Sequence, residues 1–394
     1  MQEAILPIMS LAERDRRYAN VRREMAARRL DCLILPQNTG EWDACQPDAR
    51  YLTSVGGGGT AVAVVFPFDS DPIAIVREPR RAEFWKRSQN WVTDLRGTEN
   101  GHWGRALVQA VRDVGCEHKR IGIVGLAGVL RFPDGIVTYG EFSILRAELT
   151  AATFENATDF MHDLRLVKSG EEIAMIERAQ RCADAISNAI FEHARPGIPE
   201  HALYAEMMAA HIRAEGEVPA MLLIGIGQAP NQTVLLPSVR ALQSNDILIC
   251  ESEIKYGGYM AQSIESVCLG TPGYDYQRLY DSSLECFHVL LDKARPGVPY
   301  AELIRLWTEH MEKAGLSAAP TMGHGQGLGQ DGPTTRPGGD AQGRVIEVGH
   351  CFVLKPWATS KDGARAIRAG NSVVIEEFGA RRLGQHEMSF RRLE

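Results

Sequence analysis

No apolar run in this 394-residue chain approaches the roughly 18 residues that span a bilayer. The N-terminal stretch MQEAILPIMSLAERDRRYANVRREM turns charged too early for a signal peptide, so a cytoplasmic protein with no membrane partner is expected. Paired cysteine motifs are missing as well. Cys32, Cys45, Cys116, Cys182, Cys250, Cys268, Cys286 and Cys351 are scattered without a C-x-x-C, which argues against a zinc knuckle or a disulfide framework and for reduced thiols. Excess positive charge is also lacking: 43 Lys and Arg stand against 50 Asp and Glu, and the net charge of -7 disfavours nucleic acid as a partner. The four glycines Gly56–Gly59 lack the Lys-Ser/Thr of a phosphate loop and the spaced glycines of a dinucleotide turn, and they read as a plain turn.

What is present is enough apolar residue, 44%, to bury a large core in two domains. The segment LAERDRRYANVRREMAARRL places Leu11, Tyr18, Val21, Met25 and Leu30 near helical spacing. Short apolar runs follow at CLILP, TAVAVVF, DPIAIV and RIGIVG, with a helical stretch at GRALVQAVRDVG. Strands alternating with helices predict an α/β domain over residues 1–160.

From LRLVKSGEEIAMIERA onward, over residues 161–394, long helices dominate. Ser169 and Glu172 form a capping box, and Ile173, Ile176, Ala179, Ala183, Ile186 and Ile190 make an apolar stripe. A repeat then appears: ARPGIP at 194–199 and ARPGVP at 294–299 each end one helix and open another. The shared context predicts an internal duplication about a pseudo-twofold axis.

The chemistry concentrates in the hairpin DILICESEIKYGGYMAQSIESVCLG, Asp246–Gly270. Glu251 and Glu253, two apart on a strand, face one side, where like charges should raise at least one carboxyl pKa and suit acid/base work. Gln262 is placed to hydrogen-bond a substrate or to sit satisfied beside the ladder, and Glu265 to pair with Lys255. His324 lies between glycines in MGHGQGLG, where backbone can approach a ligand, and reads as a general acid/base. Lys355, between FVL and Pro-Trp, reads either as the ion-pair partner of Glu251 or as a substrate contact or base. Asp331 either orients His324 or shapes the QDGP turn, and Trp357 either walls a pocket or joins the core.

These pieces in this order, with ARPGIPE, EVGHCFVLKPW and VVIEEFGARRLG, resemble the creatinase, prolidase and methionine aminopeptidase superfamily. The resemblance implies an N-terminal creatinase-like α/β domain followed by a C-terminal pita-bread domain. It also implies a dinuclear metal site of two Asp, one His and two Glu. Those positions carry Glu251, Gln262, His324, Lys355 and Gly370 here, a set that does not suit two hard cations. Creatinase, of the same fold, works without metal; its general-base His position falls on Leu235. On this resemblance the expected function is a metal-independent hydrolase of a C–N bond in a small amide, amidine or guanidino compound, without a cofactor. His324, Glu251, Glu253 and Lys355 are expected to be catalytic, and Gln262, Gln326, Asp331 and Trp357 to bind substrate. An Xaa-Pro-type metallopeptidase relative or lyase with one reorganised metal is the alternative, as is a catalytically silent binding module. A homodimer is implied by the resemblance alone.

Overall fold

The structure, a computed structural model, describes residues 7–37, 47–57, 60–128, 134–230, 236–336 and 339–394. Cys45, Leu235 and the glycines at 58 and 59 lie outside the described residues. The chain divides into two compact units, Met1–Arg165 with Leu328–Gln330, and Leu166–Gly327 with Asp331–Glu394.

The first unit runs α1 (Leu11–Arg28), β1 (Cys32–Leu35), α2 (Pro47–Thr53), β2 (Val62–Pro67), β3 (Ile73–Val76), α3 (Pro79–Ser88), β4 (Asp94–Gly97), α4 (Trp103–Asp113), β5 (Arg120–Ile123), α5 (Tyr139–Glu148), β6 (Thr153–Asn156) and α6 (Thr158–Leu164). Its six strands form one mixed sheet in the order β4-β3-β2-β1-β5-β6. β1, β2 and β3 are buried on both faces, which is why they read as unbroken apolar runs. In α1, Tyr18, Val21 and Met25 are buried, but Leu11 is 44% exposed. Glu13 and Arg17 take the buried positions near the helix start instead, paired at 2.7 Å, so that burial leaves neither charge alone. β4 (DLRG) and β6 (TFEN) carry no apolar run and did not stand out in the sequence.

The second unit continues with α7 (Gly170–His193), α8 (Glu200–Arg213), β7 (Met221–Gly227), β8 (Ile247–Tyr256), β9 (Tyr259–Leu269), α9 (Tyr274–Lys293), α10 (Tyr300–Lys313), β10 (Gly323–Gly325), β11 (Cys351–Leu354), β12 (Trp357–Thr359), β13 (Ala366–Arg368), β14 (Gly370–Glu376), β15 (Gly379–Arg382) and β16 (Arg391–Leu393). The Ser169–Glu172 capping box forms in full. Its main sheet has the order β10-β11-β14-β9-β8-β7, with β15 beside β14 and β16 beside β9.

The two proline-glycine turns carry the duplication down to single hydrogen bonds. Gly197 N donates to Leu242 O, and Gly297 N to Ile346 O, each at 2.8 Å. Glu200 N donates to Arg240 O at 2.9 Å, and Tyr300 N to Arg344 O at 3.0 Å. Pro199 and Pro299 occupy the N-cap positions rather than the first turn, with extended backbone that bridges to Ala241 and Val345. Each half then packs its helix pair on its own apolar cluster, one around Ile186, Ile190 and Leu203, the other around Phe287, Leu290 and Leu303.

Candidate functional site

β8 and β9 are joined by the tight turn at Gly257 and Gly258, whose φ of 58° and 83° lies where side chains are disfavoured. The resulting register sets Glu251 opposite Ile264 and Glu253 opposite Gln262. Direct cross-strand partners share a face, and the same reasoning extends sideways. His324 is opposite Val353, Val353 opposite Ser372, and the Ser372 hydroxyl accepts from Gln262 N at 2.7 Å. His324, Ser372, Gln262 and Glu253 therefore form one transverse row.

From β10 to β8 is four strand steps, about 19 Å in a flat sheet at the usual strand spacing. Yet His324 Nε2 is 3.9 Å from Glu253 Oε1. The sheet must curl tightly for the ends of the row to meet, and the face carrying the row is its concave side.

The glycines around His324 serve this curl. A Cβ on Gly323 would lie 1.9 Å from Val353 O, and one on Gly325 1.7 Å from Gly332 O. The close approach foreseen for a ligand is made by the chain's own strands. His324 Nδ1 is 3.0 Å from Gly325 O. A carbonyl only accepts, so Nδ1 carries a proton, which fixes the ring with Nε2 toward Glu253.

Beside this pair lies a buried ionic cluster. Glu251 Oε1 accepts from Lys355 Nζ at 2.5 Å and from Gln262 Nε2 at 2.8 Å, and Oε2 accepts from the Arg368 guanidinium. The Arg368 group lies 3.8 Å from the centre of the Trp357 ring, which fixes it from the other side. Burial alone would raise the Glu251 carboxyl, but the Arg368 and Lys355 charges outweigh it and hold the pKa at about 2. Burial lowers the pKa of both Lys355 and Arg368, against the pull of Glu251.

Several expectations are corrected by this geometry. Glu251 is not a raised carboxyl poised for acid/base work: it is the shared counter-ion of two buried cations. Asp331 meets Lys168 Nζ at 3.0 Å, an ion pair of its own. Glu265 faces away from Lys255, opposite Cys250 in the register, and its neighbours are Ser187, Arg391 and Asp184. Burial raises its carboxyl to about 8. Trp357 is half-buried, with its ring on Arg368. Gln326 lies fully buried, with Oε1 accepting from Ser372 Oγ at 2.6 Å. Arg368 escaped the sequence reading; the signal was a lone Arg in the apolar run AIRA.

Glu265 yields a pH prediction. An acid whose folded-state pKa is raised from 4.5 to about 8 supports the fold while protonated, and that support is lost as pH rises through about 8. Glu265→Gln is expected to flatten the decline in unfolding free energy between pH 5 and pH 9, followed by urea titration. Parallel declines in wild type and variant would refute the assignment.

The metallopeptidase family M24 matches residues 174–377, and the creatinase/prolidase N-terminal domain matches 17–167. The chain belongs to metallopeptidase family M24. It is 23% identical over 355 residues to the uncharacterized peptidase YqhT of Bacillus subtilis, covering 89% of this chain and 93% of that protein. It is 24% identical over 259 residues to the Xaa-Pro dipeptidase of Pyrococcus furiosus, covering 64% and 73%. In fold it matches the prolidase of Thermococcus sibiricus with TM-score 0.80 at 18% identity, over 98% of this chain and 100% of that one. These M24 relatives overturn the expected hydrolysis of a non-peptide C–N bond of creatinase type. The missing metal ligands that suggested it report on the ion, and none of them specifies a guanidino or amidine group.

Whether this M24 member can hold the family's metal is a question about donors. Among the described residues, no three His, Cys, Asp or Glu stand where they would hold an ion. Glu251 is engaged by two cations, and a Cβ on Gly370 would come within 2.5 Å of Lys355 Cβ. The residues present do not fit a dinuclear centre. No described helix is long and apolar enough to cross a membrane.

Proposed function

We propose that the chain hydrolyses the amide bond of dipeptide-sized substrates, as an Xaa-Pro-type relative within its family. The observation that carries this reading is the facing pair of His324 Nε2 and Glu253 Oε1, 3.9 Å apart on the concave sheet face. A titratable pair so placed can take a proton from, and return it to, a water or a substrate group bound beside it. Lys355 and Arg368 set fixed positive charge beside them, which favours a developing oxyanion. Gln262 and Gln326 offer polar contacts to the substrate, and Trp357 keeps Arg368 in place. A homodimer and a cytoplasmic location belong to the same proposal.

The ion-paired state of Glu251 favours a second reading, a module that binds such peptides without cleaving them. The test is a panel of dipeptides, Xaa-Pro and other, alongside creatine and simple amidines, offered to the full-length protein and followed by chromatography and calorimetry. Dipeptide turnover is the expected result. Binding without turnover selects the second reading, and turnover of creatine or amidines with no response to dipeptides would overturn both.

A further inference from the structure

The first unit holds a cleft of about 420 Å³, open to solvent, that shares no residue with the His324 and Glu253 site. On one side it is lined by the edge of the mixed sheet, where Ile75 of β3 stands opposite Arg96 of β4 in the parallel register and Gly97 follows. The other side is α4, which lines the cleft with His102, Arg105, Ala106 and Gln109. Those positions, three, one and three residues apart, form one helical face that begins at the N-cap. Gly97 and Ala106 fill little of the space between helix and sheet.

The loop from β4 to α4 is fixed by its own hydrogen bonds. Thr98 N donates to Val76 O at 2.9 Å, Thr98 Oγ1 to Arg77 O at 2.6 Å, Gly101 N to Thr98 Oγ1 at 3.0 Å, and His102 N to Glu99 O at 3.0 Å. Glu99 is thus carried on a shaped segment, and a ligand need order little of the chain.

The charges that line the cleft divide into engaged and free. Arg96 is engaged: Nε and Nη2 donate to the two oxygens of Asp94 at 2.8 and 2.7 Å, and Nη1 reaches Asp113. Glu99 and Arg105 are opposite in sign and line the same cleft, yet neither side chain pairs with the other or with any other described residue. A ligand charged with one sign would answer one of them and meet the other as a like charge. A ligand carrying both a carboxylate and an ammonium answers both, with the Arg105 fork suited to the carboxylate. The volume lies in the range of small-molecule pockets, about 300–1,000 Å³, and well above what a lone ion fills. Ile75 and Ala106 add apolar surface for an aliphatic side chain.

We infer that this cleft binds a free α-amino acid with an aliphatic side chain, its carboxylate on Arg105, its ammonium on Glu99 and its side chain against Ile75 and Ala106. The ligand class is the one that dipeptide cleavage would release, but the site does not depend on that cleavage.

The test is calorimetry of the full chain with L-leucine, with N-acetyl-leucine, which lacks the ammonium, and with leucinamide, which lacks the carboxylate. Leucine is expected to bind, and Arg105→Gln and Glu99→Gln should each weaken it by about tenfold. Ala106→Leu should abolish binding by filling the cleft, and both analogues should bind more weakly than leucine. Glu99 and Arg105 are exposed and Ala106 is half-buried, so the three variants are expected to fold like wild type. Leucine held with an unchanged Kd in all three variants sits elsewhere on the chain, which overturns the inference while leaving peptide hydrolysis standing. No binding at millimolar leucine overturns it as well. N-acetyl-leucine binding as tightly as leucine, and weakened by Arg105→Gln alone, would make the cleft a plain carboxylate site and overturn the amino-acid class. Leucine binding that is lost in the variants, on a chain that neither cleaves nor binds dipeptides, upholds the inference and removes only the peptide reading.

Discussion

Glu251→Gln is expected to destabilise the second unit by about 3–5 kcal/mol, the range for breaking a buried ion pair from one side. The substitution is nearly isosteric, so packing changes little. It removes the carboxylate that the Lys355 ammonium and the Arg368 guanidinium share, and leaves two cations side by side in a site that is about 5% and 1% exposed at those residues. Lys355→Met should cost less, because Arg368 and Glu251 remain a balanced pair. Replacing Glu251, Lys355 and Arg368 together with Met should recover much of the loss, since three desolvation penalties vanish at once. The pH dependence gives a second readout. Glu251 has a folded-state pKa lowered from 4.5 to about 2. Its contribution is complete above the ordinary carboxyl range and is lost as pH falls toward 2. Urea unfolding at pH 7 and pH 3 measures both effects. A Glu251→Gln cost below about 1 kcal/mol would mean that the cluster does not exist as described.

His324→Ala and Glu253→Gln are each expected to lower kcat/KM on the dipeptide that is turned over by about 10²- to 10⁴-fold, the range for removing a general acid or base. The double variant should be little worse than either single one, because the two groups act as a unit on one proton. Both side chains are buried beside the Lys355–Glu251–Arg368 cluster, so the urea midpoint of each variant is measured alongside to separate lost chemistry from lost fold. Equal turnover in wild type and both variants, with folding intact, would remove this pair from the reaction.

Much of the fold was legible because its signals are local. A capping box needs only Ser169 and Glu172 three apart, and the repeated ARPGIP and ARPGVP turns declare themselves within six residues. Strands buried on both faces, such as Val62–Pro67, read as apolar runs; strands with charged residues, such as DLRG and TFEN, did not. At the site, sequence alternation correctly put Glu251 and Glu253 on one face but said nothing of what faced them. The raised pKa expected from two neighbouring carboxylates is reversed by Arg368, 117 residues away in sequence from Glu251.

The chain's own order of residues determined the two-domain α/β organisation, the duplicated helix pairs and the hairpin that carries the candidate site. Only the tertiary structure decided what those residues do. The curl of the sheet brings His324 to Glu253 across four strand-to-strand steps, and the burial of Lys355 and Arg368 on Glu251 turns a candidate base into a counter-ion. Periodicity along a strand fixes which face a side chain takes. Charge interactions depend on distance through space and on exclusion of water, and neither is set until strands far apart in sequence close on one another.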